Sequence, residues 1–263
     1  MTNVQLTPIG TSPAWYNAGE ASTGFLLEVD GFRLLVDCGG GVVSRYLELF
    51  GADAPVDAVV ITHVHADHAS DLVPLTYGIE YGQLAHWHPQ LWLPPGAHDR
   101  LLRLVSTWDA DESFFTATHD VHHYTTDEAF EIGPISVRAL EVPHFIESHA
   151  LRFDVDGTSC GYTSDLGPFA PAGSFFSGVD VLVSEATLAE QHNESADARG
   201  HLTAAEAGGI AAAAGAHSLL LTHVPTHLQP GVVARAAKVY DGPIALAQSG
   251  AKYSITHRLA RAV

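Results

Sequence analysis

The stretch Asp57-Ala58-Val59-Val60-Ile61-Thr62-His63-Val64-His65-Ala66-Asp67-His68 decides the fold. Its first five residues form an apolar, β-branched run that reads as a buried strand. Four side chains able to ligate a metal, His63, His65, Asp67 and His68, then follow close behind that strand's end. In an extended segment residues two apart project the same way, so His63 and His65 can grip one ion together. Asp67 and His68 lie where the chain turns into a helical pattern and can face a second ion. The spacing suits a dinuclear site. With 17 histidines in the chain an isolated pair would carry little weight, but an H-x-H-x-D-H run directly after a buried strand is a far narrower pattern.

Composition bounds what surrounds that run. At 263 residues and 46% hydrophobic content the chain can bury a substantial core, and one domain over residues 1–263 is the expectation. Cys38 and Cys160 show no pairing pattern of a disulfide scaffold. The start, Met1-Thr2-Asn3-Val4, has neither a basic nor an apolar leader region, and no apolar run reaches membrane length. A cytoplasmic enzyme with no membrane partner is expected, so the acceptor triplet Asn193-Glu194-Ser195 is set aside. Twelve Lys and Arg face 30 Asp and Glu, a net charge of -18, and the basic residues are scattered. A protein that grips long nucleic acid generally carries a basic footprint, which is missing here.

Strands are expected at Val4 to Ile9, then at Gly24 to Val29 and Phe32 to Asp37, the latter two joined by Asp30-Gly31, a strong hairpin signal. Gly39-Gly40-Gly41 lacks the spacing of a phosphate-binding loop and reads as a tight turn. Val42 to Phe50 has helical spacing. Ala69 to Tyr77 continues as a helix interrupted near Pro74. The segment Tyr81 to His88, with His86 and His88, reads as packing or surface. Leu91 to Leu93 is a strand, Ala97 to Thr107 a helix, and His119 to Tyr124, Ala129 to Ile132 and Ile135 to Val142 are strands. His122 and His123 point to opposite faces and cannot chelate one ion as a simple pair. Further strands are expected at Ser148 to Phe153, Ser159 to Asp165, Val179 to Ser184, His217 to Leu221, Pro243 to Ala247 and Tyr253 to Thr256. Gly200 to Glu206 opens an alanine-rich helix, with Thr203 and Glu206 as a capping box, and Gln229 to Tyr240 is a helix.

The opening run resembles the signature of the metallo-β-lactamase superfamily, and the likeness extends from Gly10-Thr11-Ser12 to the last predicted strand. It implies an α/β (α+β) fold: an αββα sandwich of two mixed β-sheets flanked by helices, with one or two zinc ions at the edge between the sheets. Asp37-Cys38-Gly39 matches a structural turn of that family. His144, after Val142-Pro143, matches its third histidine, Asp165 its bridging carboxylate and His223, after Leu221-Thr222, its last ligand. The implied constellation is His63, His65, His144 and Asp165 on one ion, with Asp67, His68, Asp165 and His223 on the other. Asp67 would also orient the attacking hydroxide. β-Lactamases of the family that use two zincs commonly carry Cys where Asp165 stands, so the likeness points to the phosphodiesterase, thioesterase and lactonase branches. Strand-end Glu185 together with Gly200-His201-Leu202-Thr203-Ala204 resembles the ribonuclease Z group and its bacterial cyclic-nucleotide phosphodiesterase relatives. There the His protonates the departing oxygen and the Glu orients it. His149 and His227 take no ligand role in this reading.

The resemblance therefore implies a metal-dependent hydrolase of small phosphodiesters such as 3',5'-cyclic nucleotides, acting by a metal hydroxide. Two divalent ions carry +4 and two carboxylates and a hydroxide remove 3, so the site would be positive inside an acidic chain. The ribonuclease Z relatives carry a long tRNA-gripping arm between the third His and the bridging Asp. Here His144 and Asp165 are 21 positions apart, room for a hairpin. Two other readings stand: an acyl hydrolase of lactones or thioesters, and a metal- or oxygen-handling protein. His and Asp ligands suit Zn but also Mn and Fe, and relatives often form homodimers.

Overall fold

The computed structural model describes residues 2–191, 194–255 and 261–262. Asn193 of the acceptor triplet and Thr256 at the end of the last predicted strand lie outside them. The chain opens with β1 (Val4–Gly10), β2 (Gly24–Val29) and β3 (Phe32–Val36), then α1 (Val42–Phe50), β4 (Ala58–Val60), α2 (Ala66–Ala69), α3 (Leu72–Glu80), β5 (Gln90–Leu93), α4 (Ala97–Val105) and β6 (Asp120–His123). The second half runs β7 (Phe130–Ile132), β8 (Ile135–Val142), β9 (Ser148–Val155), β10 (Thr158–Tyr162), α5 (Pro171–Phe175), β11 (Val181–Glu185), α6 (Ala196–Arg199), α7 (Ala204–Ala214) and β12 (Ser218–Thr222). It closes with α8 (Val232–Ala236), β13 (Ile244–Leu246), β14 (Tyr253–Ile255) and β15 (Arg261–Ala262).

Two mixed sheets result, in strand order β15-β14-β1-β2-β3-β4-β5-β6 and β13-β12-β11-β10-β9-β8-β7. The facing sides of both sheets form the central core, where Leu27, Val36 and Val60 meet Val137, Phe153, Tyr162 and Val183. On the outer face of the first sheet pack residues of α1, α3 and α4, and on that of the second those of α5, α7 and α8. This is the αββα sandwich. Strands covered on both faces must be apolar throughout, which is why β4, β11 and β12 are continuously buried.

The Asp30-Gly31 hairpin forms as expected, both residues at positive φ (48° and 95°), the backbone a tight two-residue turn requires. Three helical expectations are corrected. The break near Pro74 falls earlier, between α2 and α3, and Pro74 sits in the first turn of α3, where its missing N–H has no helical partner to lose. The helix expected over Gln229 to Tyr240 shrinks to α8 because Pro230-Gly231, with Gly231 at φ 79°, interrupts it after a 3-10 turn at Thr226–Leu228. The helix expected to reach Thr107 ends at Val105.

Candidate metal centre

The candidate ligands converge because their strands end at one edge of the sandwich. His63, His65, Asp67 and His68 follow β4, His144 follows β8, Asp165 follows β10, Glu185 is the last residue of β11, and His223 follows β12. Open α/β sheets place ligand sites outside the carboxyl ends of their strands. The departures are sharp: Ser164 and His223 both hold positive φ, 54° and 56°. Non-glycine residues in that region are held there by surrounding structure, and they cluster at functional sites.

Two groups of side chains result. In the first, His65 Nδ1 lies 3.1 Å from both His63 Nε2 and His144 Nε2. In the second, Asp67, His68, Asp165 and His223 gather, with His223 Nε2 3.1 Å from Asp67 Oδ2 and His68 Nε2 3.3 Å from Asp165 Oδ2. Asp165 Oδ2 also stands 3.6 Å from His223 and 4.0 Å from His144, between the two groups.

These residues fit divalent cations. Donor atoms about 2.0–2.1 Å from a tetrahedral ion lie about 3.3 Å from one another, close to the spacings seen. His68 Nε2 and Asp165 Oδ1 are buried with no hydrogen-bond partner, as atoms reserved for a cation would be. Burial, with like-charged neighbours, lowers the basicity of His63, and burial lowers that of His65 and His144, leaving lone pairs available. Burial works against the charged forms of Asp67 and Asp165, yet His68 and His223 draw both carboxyls below the usual range.

His144, His68 and His223 are each aimed by a bond on the far side of the ring. His144 Nδ1–H donates to the Gly200 carbonyl at 2.7 Å, and His68 Nδ1–H to Asp37 Oδ2 at 2.8 Å. Asp37, fully buried, also accepts Thr62 N–H, Thr62 Oγ1–H and Tyr162 O–H. His223 Nδ1 is 2.8 Å from Thr187 Oγ1, which lies 2.7 Å from Glu185 Oε2. The hydroxyl proton goes to the carboxylate, so His223 Nδ1 must donate to Thr187 and its Nε2 is left free.

Glu185 is the hub of a second arrangement. Its Oε1 lies 3.0 Å from His201 Nδ1 and accepts Leu166 N–H. His201 Nδ1 is in turn 3.9 Å from Asp165 Oδ2. Burial opposes a charge on His201, but Glu185 and then Asp165 and Asp67 raise its pKa to about 9. The loop carrying it is tied down by buried Arg199, whose Nε donates to the His201 carbonyl and whose guanidinium pairs with Glu206.

All nine residues expected at the site are thus brought together. His122 instead stacks on Trp92, and His86, His88, His123 and His227 are exposed. His149 is buried against Thr62 O and beside Glu147, and it joins no ligand group among the described residues. Sequence reasoning missed the roles of Asp37, Thr187 and Arg199. The signal for Thr187 was present: it lies two residues past Glu185, on the same side of an extended segment.

The beta-lactamase superfamily domain matches residues 32–224. The chain belongs to that superfamily and is a metal-dependent hydrolase. It is 32% identical over 257 residues to the probable metallo-hydrolase YhfI of Bacillus subtilis (strain 168), covering 94% of this chain and 98% of that protein. The solved structure of B. subtilis YhfI superposes with a TM-score of 0.82 at 28% identity, over 96% of this chain and 99% of that one. Two further structures share the fold: human tRNase Z, short form (TM-score 0.75, 22% identity, 96% and 99% covered), and a diphosphatase from the PhnP family (0.72, 21%, 96% and 98%).

Proposed function

We propose that this hydrolase acts on small phosphodiesters, with 3',5'-cyclic nucleotides as the leading substrate class, and that it does so as one domain with two divalent ions, zinc first among them. The observation that carries the reading is the His201–Glu185 pair, 3.0 Å apart, set against Asp165 at the edge of the ligand groups. Hydrolysis of an alkyl phosphodiester expels a poor leaving group, and such a reaction gains most from an acid held at the departing oxygen.

His63, His65 and His144 would hold one ion and Asp67, His68 and His223 the other, with Asp165 shared between them. When bound, such ions supply Lewis acidity toward a phosphoryl oxygen and water made acidic enough to be a nucleophile near neutral pH. The remaining work belongs to the chain. Asp67 orients the attacking oxygen through its carboxylate. Glu185 takes Nδ1–H of His201, so the transferable proton sits on Nε2 and passes to the departing alkoxide. The phosphate charge would be met by the ions these residues hold rather than by basic side chains, which are scattered in this chain.

The interval from His144 to Asp165 is filled by the β9–β10 hairpin, so no arm extends there to grip a tRNA. The test is turnover of cAMP beside bis-p-nitrophenyl phosphate by protein of determined metal content, with Asp165→Ala as the control. Loss of cAMP turnover in the control supports the reading. Cleavage of the activated diester alone overturns the substrate class, and faster turnover of a lactone or thioester overturns the phosphodiester reading in favour of acyl hydrolysis.

A further inference from the structure

Phe145 is an exposed aromatic side chain, 56% accessible, immediately after the candidate ligand His144. Its position is built rather than incidental. The ring centroid lies 4.9 Å from that of His144 and 5.7 Å from that of His201, so it touches both a ligand and the proposed acid. It rests on Gly200, where a Cβ would come within 2.6 Å of the ring. Gly200 also holds φ 63° and accepts the His144 Nδ1–H bond, so one residue seats the ring and aims the ligand. Phe145 and His144 line a trough of about 430 Å³ together with Ile146, Phe169 and the carboxylates of Glu141, Glu147 and Asp197.

The part of the Phe145 ring left in water costs free energy that a stacked ligand group would recover. Because the candidate ligand His144 and Phe145 both line the trough, a substrate whose phosphate sits at the centre can extend its remaining part past Phe145 into it. Glu147 and Asp197 repel a second phosphate there, which disfavours a diphosphate or an oligonucleotide. The group that fits against Phe145 is flat and uncharged.

We propose that Phe145 is the stacking platform for the base of a nucleotide substrate, and that it selects nucleoside phosphodiesters over other small diesters. The inference rests on the phosphodiester reading above and assigns the part of the substrate that reading leaves open. Base–aromatic stacking tolerates any base, since each has a π-face, so the platform selects for a nucleobase without choosing among bases.

The test compares kcat/KM for adenosine 3',5'-cyclic phosphate with that for 1-O-methylribose 3',5'-cyclic phosphate, which lacks a base, in the wild type and in Phe145→Ala, Phe145→Leu and Phe145→Trp. Metal content is measured in each. The preference for the nucleotide over the base-free diester should fall about tenfold in the Ala and Leu variants, mainly through KM, and return in the Trp variant. Leu keeps apolar bulk without a π-face, so it separates stacking from simple contact. A preference that is the same in all four proteins, or one that Leu preserves, overturns the platform while phosphodiester turnover stands. If the wild type cleaves neither cyclic phosphate, the functional reading fails and the platform falls with it.

Discussion

At the residue scale, histidines of the centre are oriented through the nitrogen that faces away from it. Thr187 shows this most directly, since its hydroxyl can donate only once and gives that proton to Glu185. Thr187→Val keeps the shape and removes the acceptor for His223 Nδ1–H. Metal affinity should fall about 10- to 100-fold, as loss of such outer partners does elsewhere; titration with zinc against a competing chelator measures it, and unchanged affinity would remove Thr187 from the support of His223. His201→Ala is expected to behave oppositely. It removes an acid and no ligand, so both metals should stay bound while turnover of an alkyl diester drops about 10²- to 10⁴-fold. The loss should be much smaller on a p-nitrophenyl ester, whose leaving group needs no proton. Equal losses on both substrates would count against the acid role.

At the scale of elements, two backbone arrangements hold the motif in place. Gly39, in the turn before α1, lies against the backbone of Asp67, where a Cβ would come within 1.8 Å of the carbonyl oxygen. Within the glycine triplet, Gly39 therefore lets two backbones touch, and Gly41 supplies a positive φ at the start of α1. Gly39→Ala should destabilise the fold by about 3 kcal/mol, read by denaturant unfolding. The second arrangement is the start of α7. Thr203 and Glu206 form the capping box expected from the sequence, and Glu206 additionally pairs with Arg199. Burial opposes the charge on Glu206, but the Arg199 and Thr203 bonds hold its carboxyl below the ordinary range. A depressed folded pKa contributes stability that is present above the ordinary glutamate value and is lost as pH falls through the folded one. Glu206→Gln should therefore cost about 1 kcal/mol at neutral pH, and the difference from wild type should close on acidification. A difference that persists undiminished in acid would assign the loss to packing.

At the scale of the whole molecule, the contrast is between an acidic chain of net charge -18 and a site designed for cations and an anionic substrate. Local charge governs binding at the centre, while the wider field governs which large partners approach. The protein should show no tRNA binding by fluorescence anisotropy at physiological salt in the micromolar range. Binding with a steep salt dependence would overturn this, because phosphate neutralisation by Lys and Arg is what produces such a slope.

The opening motif and the strand periodicity carried the order of most strands and helices and the grouping of His63, His65, Asp67 and His68 behind β4, while the sandwich itself was what the family resemblance implied. Local chemistry carries that order and that grouping: alternation of side chains, turn residues and short-range ligand spacing are properties of neighbouring positions. His144, Asp165, Glu185, His201 and His223 were legible only as pieces matching a family order, since spacing alone does not say that four distant strand ends and the loop before α7 share an edge. The tertiary structure decided what lies across that edge. The Asp37–His68 bond spans 31 positions, and the His144 bond to Gly200 spans 56. The seat of Phe145 on Gly200 likewise joins two loops remote in sequence. Such contacts exist because sheet order brings separate loops together, and no periodicity in the chain encodes a distance between them.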